Sequence, residues 1–296
     1  MARPLTGADL PGFWRDADKA STRGQEWTLH YERLRLGGSI LAAFGAVFSV
    51  HTGSIDLAAV IVLGGFTLAL ISELAAWVHK PEQQWYDGRV MAESAKTMAW
   101  RFAVGADPFK VTLDQGRAHG LLRERLAKIG EEASDRITIT TPGPLVTPGM
   151  EALRSSPFEE RRNAYIKGRT EDQQRWYAKR AEVNRRRATG WKIALVGAEV
   201  TALVLASLRV FGGWDVDLAG LMAAIIAAGG AWVAVKQFSP LAAAYSMAAM
   251  ELTIQADMLR TIPESDWPLI AADAEEAISR EHTMWLASRT GKKPKV

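Results

Sequence analysis

Three ionisable residues stand where ionisable residues are costly. Glu73, Glu199 and Arg209 each interrupt an apolar segment long enough to cross a bilayer. A charge at that depth costs roughly 2.5 to 3.5 kcal/mol on insertion scales, so such residues face protein, water or a proton rather than lipid. Glu73 lies seven residues inward of Lys80, and Glu199 seven inward of Lys192. At about 1.5 Å per residue both carboxylates sit roughly 10 Å inside the same end of their spans. Facing a common axis in an oligomer, they would form an acidic ring that favours cations. Protonation or snorkelling would accommodate the two carboxylates without any conduit, and Arg209 could snorkel outward. Glu199 and Arg209 cannot pair along their own helix, because ten residues place them about 15 Å apart and some 80° around the axis.

No enzyme constellation accompanies these charges. A P-loop, a GxGxxG after a strand, a GxSxG elbow and HExxH are all missing, and the five histidines share no metal-ligand spacing. The absence of cysteine removes disulfide and thiolate chemistry and agrees with a reducing compartment. The expectation is therefore a protein that is not an enzyme, needs no cofactor or metal, and does not bind nucleic acid. The basic run "DQQRWYAKRAEVNRRR", with Arg185, Arg186 and Arg187, precedes Lys192 and reads first as a membrane orientation signal. Binding of anionic lipid or a phosphorylated ligand is the alternative for the same run.

The elements that must hold these charges are apolar helices. Residues 36–55 carry no formal charge, and Leu57–Val78 is broken only by Glu73. Ile193–Trp214 holds Glu199 and Arg209, and Leu218–Val235 is again uncharged. About 20 apolar residues cross the hydrocarbon core, which predicts four spans, about 36–54, 57–78, 192–212 and 218–236. No helical face of "LAGLMAAIIAAGGAWVAV" is polar, which suits lipid or complete burial. Ala219, Ala223, Ala227 and Ala231 recur every four positions, as close helix contact in lipid requires. Trp77, Trp191, Trp214 and Trp232 near the span ends read as interfacial anchors.

Orientation follows from Lys and Arg. The stretch Lys80–Lys192 holds 22 of them against 15 Asp and Glu, and the turns "HTGSID" and "GGWDVD" have none. Both termini and the long middle stretch are thus expected in the cytoplasm. Each returning span ends in Lys followed by Pro, at Lys80-Pro81 and at Lys236 with Pro240, and helix is expected to restart there. The repeated punctuation suggests an internal duplication. Absence of proline from Glu159 to the second hairpin predicts one long helix running into the span. Thr112–Ala133 reads as an amphipathic helix, Arg136–Met150 as a short strand and a Pro/Gly linker, and Ser265–Arg289 as a last helix.

At "RNAYIKGRTEDQQRWYAKRAEVNRRRATGW" the sequence resembles the SLATT group, the SMODS- and SLOG-associating two-transmembrane effector domains. Tyr165, Arg169, Asp172, Gln173, Trp176, Tyr177, Ala181 and Asn184 carry the resemblance before the span. Tyr245, Glu251, Glu276, Glu281 and Trp285 carry it after the span. The N-terminal hairpin, with Glu93 and Trp100 beyond it, is similar to a second such unit. The resemblance implies a bacterial membrane effector of conflict systems, some of them controlled by nucleotide second messengers, and it supplies no catalytic residue.

The expected fold is all-α and integral to the membrane, with two transmembrane hairpins extended by long cytoplasmic helices. Its expected organisation is a SLATT-like unit at 1–110, a cytoplasmic helix and linker at 111–150, and a second SLATT-like unit at 151–296. The expected function is an oligomeric pore or ion channel in the bacterial inner membrane, with both termini cytoplasmic. Expected partners are the lipid bilayer, further copies of the chain, and a nucleotide-signal or sensor protein. The alternative is a non-conducting scaffold whose cytoplasmic helices dock a partner.

Overall fold

The computed structural model describes residues 2–48, 51–52, 55–133, 137–138, 140, 143–213 and 216–290. Side chains are described through Ile278, apart from those of 51, 52, 55, 132 and 133. In chain order the helices are α1 (Gly12–Ala46), α2 (Leu57–His79), α3 (Pro81–Val104), α4 (Gln115–Ala133) and α5 (Pro148–Arg154). They continue with α6 (Phe158–Tyr165), α7 (Glu171–Gly212), α8 (Leu218–Lys236), α9 (Phe238–Thr261) and α10 (Trp267–Thr290). Among the described residues, extended pairing is limited to β1 (His51–Thr52) and β2 (Ile55–Asp56), antiparallel across the first turn.

The helices gather into two compact units, each discontinuous in sequence. One comprises Met1–Gln25, Glu82–Lys179 and Tyr245–Val296; the other comprises Glu26–Pro81 and Arg180–Ala244.

The first unit has an ordinary water-soluble core. Trp100, Phe102, Phe109, Leu122, Leu126, Met150, Tyr165 and Trp267 are fully buried in it. Edge-to-face ring pairs fix this core, with Tyr165 5.8 Å from Trp100 and 5.7 Å from Trp267, and the Trp267 indole donates to the Val104 carbonyl at 2.9 Å. The short strand expected within Arg136–Met150 is not seen among the described residues: Ile137, Thr138 and Thr140 are irregular, while Arg136, Ile139, Thr141 and Pro142 lie outside them. Buried Ile137 and a bond from the Thr140 N–H to Asp16 (2.7 Å) secure the segment instead.

The second unit is built from the apolar segments, and among the described residues three helical stretches rather than four are long and apolar enough to cross a membrane. They are Leu57–Val104, Phe158–Gly212 and Leu218–Thr261, which contain the expected spans 57–78, 192–212 and 218–236. The uncharged run 36–55 falls short because α1 ends at Ala46, and His51–Thr52 pairs with Ile55–Asp56 in the small ladder. The C-terminal part of α1 packs tightly on α2. A Cβ added to Gly65 would lie 2.5 Å from the Ala42 nitrogen, and one on Gly38 would lie 2.6 Å from the Gly65 carbonyl. Small residues here let two backbones touch, as helix pairs in lipid require. Between α7 and α8 the close approach is at Gly229, against Leu195, and not along the alanine row, since Ala223 and Ala227 are exposed.

The two returning spans share their terminal chemistry. Asp56 caps α2 by accepting from the Ala58 and Ala59 N–H groups, and Asp217 caps α8 by accepting from the Gly220 N–H. Each ends in a non-glycine residue in the left-handed region, Lys80 (φ 46°) and Gln237 (φ 50°), donating to the carbonyl four residues back. That junction turns the chain without ending helical structure, so α3 and α9 follow at once. The long helix also forms: α6, a π-helical turn at Ile166–Thr170 and α7 run unbroken from Phe158 to Gly212.

Candidate functional site

The most deeply buried polar group of the first unit is organised by the π turn. A wider helical turn displaces the side chains on it from the α-helical register, and such turns cluster at functional positions. Arg169 projects from this turn into the core and is 1% exposed. Its Nε and Nη2 both donate to Glu275 of α10 at 2.8 Å, a bidentate fork. Glu275, 0% exposed, also accepts from the Thr97 hydroxyl (2.9 Å) and the Tyr165 hydroxyl (3.0 Å). Glu93 stands 4.0 Å from the Arg169 Nη1.

Burial and neighbouring charges shift three groups of this cluster. Burial alone would lower the Arg169 pKa, but the Glu275 carboxylate outweighs it and raises the value. Burial, and then the Glu275 charge, push the Tyr165 phenol well above the usual range. Lys96 on α3 moves the other way, lowered by burial and then by Arg169. With four donors on two oxygens, Glu275 has no free geometry for proton transfer. The arrangement is a clamp of α3, the π turn and α10.

Tyr165 and Arg169 are thus brought together, and the missing partner is Glu275, beside the exposed Glu276 that the sequence reading singled out. The signal for it is positional. Trp267, Ala271, Ala274 and Ile278 form the buried stripe of α10, and Glu275 lies on that stripe four residues after Ala271. Further along α7, Trp176 and Tyr177 pack with Tyr245 of α9, all three rings within 5.1–5.6 Å of one another. Gln173 is buried, whereas Asp172 is exposed and pairs with Arg175 at 3.4 Å. Glu251 is exposed, and the side chains of Glu281 and Trp285 lie outside the described residues.

In the second unit two of the three intramembrane charges have partners. Arg35 donates to Glu73 at 3.1 Å and to Glu32 at 2.7 Å. Arg209 pairs with Asp217 across the second turn at 2.8 Å. Hydrogen bonds first from the Gly220 N–H and then from Arg209 lower the Asp217 pKa. Glu199 is exposed and forms no ion pair among the described residues. Nearer the basic end, Arg185 and Arg186 pair with Glu182 (2.7 and 2.6 Å), while Arg187 and Lys192 are exposed. Asn184 is buried and donates to the Arg180 carbonyl at 2.8 Å. Arg33 and Lys236 both lie over the Trp232 ring, at 5.4 and 5.5 Å, which anchors a cationic and aromatic belt. Trp77 is exposed, and Trp214 lies outside the described residues. Among the described residues, no group of three or more His, Asp or Glu could hold a metal ion.

An all-helical chain with helices long and apolar enough to cross a membrane is of the all-α membrane class. The chain belongs to the SLATT family. SMODS and SLOG-associating 2TM effector domain 3 matches residues 11–162, and domain 1 of the same group matches residues 165–285. The two domains stand in tandem, and effectors of this group are associated with conflict and defence systems. No curated protein and no solved structure matches the chain.

Proposed function

We propose that the chain is a pore-forming or ion-conducting effector of the bacterial inner membrane, active as a homo-oligomer in a conflict or defence system. One observation carries the reading. The most apolar stretches of the three spanning helices have 17%, 0% and 6% of their residues buried. Nearly all of that surface is left for lipid and for other copies, and so few spans cannot enclose a conduit alone. Glu199, the intramembrane carboxylate without an ion-pair partner among the described residues, is available to line a path for cations. Glu73 is held in an ion pair with Arg35 of α1, which it shares with Glu32. The basic belt keeps both termini in the cytoplasm, where a nucleotide-signal or sensor protein would act on the first unit.

A scaffold that docks a partner without conducting is favoured by a different observation. Met247, Met250, Ile254 and Met258 form an exposed apolar stripe on α9. Ion-flux recordings from liposomes holding the purified full-length chain, with its mass measured in detergent, separate the two. Conductance from an oligomer supports the pore; a monomer without flux leaves the scaffold.

A further inference from the structure

Helices α3, α4 and α10 of the first unit line a cavity of about 330 Å³ that neither reading uses. Its lining is cationic. Arg101 of α3 and Arg125 and Lys128 of α4 face it, against the single carboxylate of Glu276 on α10. Arg125 and Lys128 are three residues apart on one helix face, where like charges repel unless an anion sits between them. Among the described residues neither forms an ion pair. Arg101 is held in place: its Nη2 donates to the Ala272 carbonyl at 2.7 Å, and its Nε is buried with no hydrogen-bond partner among the described residues.

The remaining lining narrows the ligand. Thr97 already donates to Glu275, which leaves Ser94 as the hydroxyl able to donate into the cavity. Met98 and Ile129 supply apolar walls. The volume is at the lower end of the roughly 300–1,000 Å³ typical of small-molecule sites. We infer that this cavity binds a phosphate-bearing small molecule, with the phosphate between Arg101, Arg125 and Lys128 and a compact body against Met98 and Ile129. Glu276 accepts a hydrogen bond from a hydroxyl or amino group of that body and repels a bare polyanion.

Calorimetric titration of the full-length chain in detergent tests this directly, without reference to ion flux. The probes are inorganic pyrophosphate, adenosine monophosphate and short-chain phosphatidylglycerol. Binding is expected below about 1 mM, weakening as salt rises. The exposed pair Arg125→Gln/Lys128→Gln should weaken it about tenfold or more while leaving the fold intact by circular dichroism. Glu276→Gln should tighten pyrophosphate binding, a response that a structural role for these residues would not produce. Binding confined to phosphatidylglycerol upholds the site and assigns the phosphate to a lipid headgroup. No binding by any probe, or binding indifferent to all these substitutions, overturns the proposal.

Discussion

Glu275→Gln exchanges one carboxylate oxygen for an amide NH₂ of nearly the same size, so its effect is electrostatic and not one of volume. In either amide orientation the new donor faces two existing donors. They are the Arg169 Nη2 with the Thr97 hydroxyl, or the Arg169 Nε with the Tyr165 hydroxyl. The hydroxyl can turn to accept from the amide but the guanidinium N–H cannot, so one hydrogen bond to a charged group is lost, at roughly 1.5–3 kcal/mol. The Arg169 charge is then left in the core with Glu93 only at 4.0 Å, and breaking a buried pair from one side costs about 3–5 kcal/mol on independent grounds. At about 2–4 °C per kcal/mol for chains of this general size, the unfolding midpoint should fall by roughly 10 °C or more. The buried Trp100 and Trp267, each beside Tyr165, make intrinsic fluorescence of the detergent-solubilised protein a suitable reporter. Arg169→Met with Glu275→Leu should recover much of the loss, because removing both charges leaves neither uncompensated. A loss under about 1 kcal/mol for Glu275→Gln, or a double variant as unstable as the summed single ones, would refute the clamp.

Three further outcomes follow from other parts of the molecule. Gly65→Ala should cost about 1–3 kcal/mol by driving a methyl into the Ala42 backbone, whereas Gly64→Ala, with open space around it, should be neutral or slightly stabilising. Equal thermal midpoints for the two in detergent would remove the argument for tight α1–α2 packing. Lys96 has a folded pKa below its unfolded value, so its penalty is complete below the folded pKa and fades as pH rises toward about 10.4. Lys96→Met should therefore raise the unfolding midpoint at pH 7, with the gain shrinking toward pH 10; a gain that grows with pH contradicts the sign. In flux assays Glu199→Gln should reduce cation over anion selectivity more than Glu73→Gln does, since Glu73 is held in an ion pair with Arg35. Equal effects of the two would assign the carboxylates a common role.

Much of the architecture was legible because its causes are local. Length and apolarity mark Leu57–Val78, Ile193–Gly212 and Leu218–Val235 whatever surrounds them. The restarts after Lys80 and Lys236 could be read from Pro81 and Pro240, although left-handed Lys80 and Gln237, which make the turns, carry no residue-type signal. The fourth span was over-read, since charge-free composition does not reveal that helix stops at Ala46. The tandem family character was also visible, in diffuse landmarks such as Arg169, Trp176 and Tyr245.

Pairing was not legible. Sequence alone determined that Glu73, Glu199 and Arg209 are costly at their depth, because that cost depends on the solvent around one helix. Which of them is neutralised depends on a residue 38 positions away for Glu73, on a turn for Arg209, and on no partner among the described residues for Glu199. The same holds for Glu275, whose four donors come from α3, α6 and the π turn, up to 178 residues distant. Hydrophobic length is additive along a chain and can be read from it. An ion pair is a coincidence of two side chains in space, and only the tertiary structure brings them to one place.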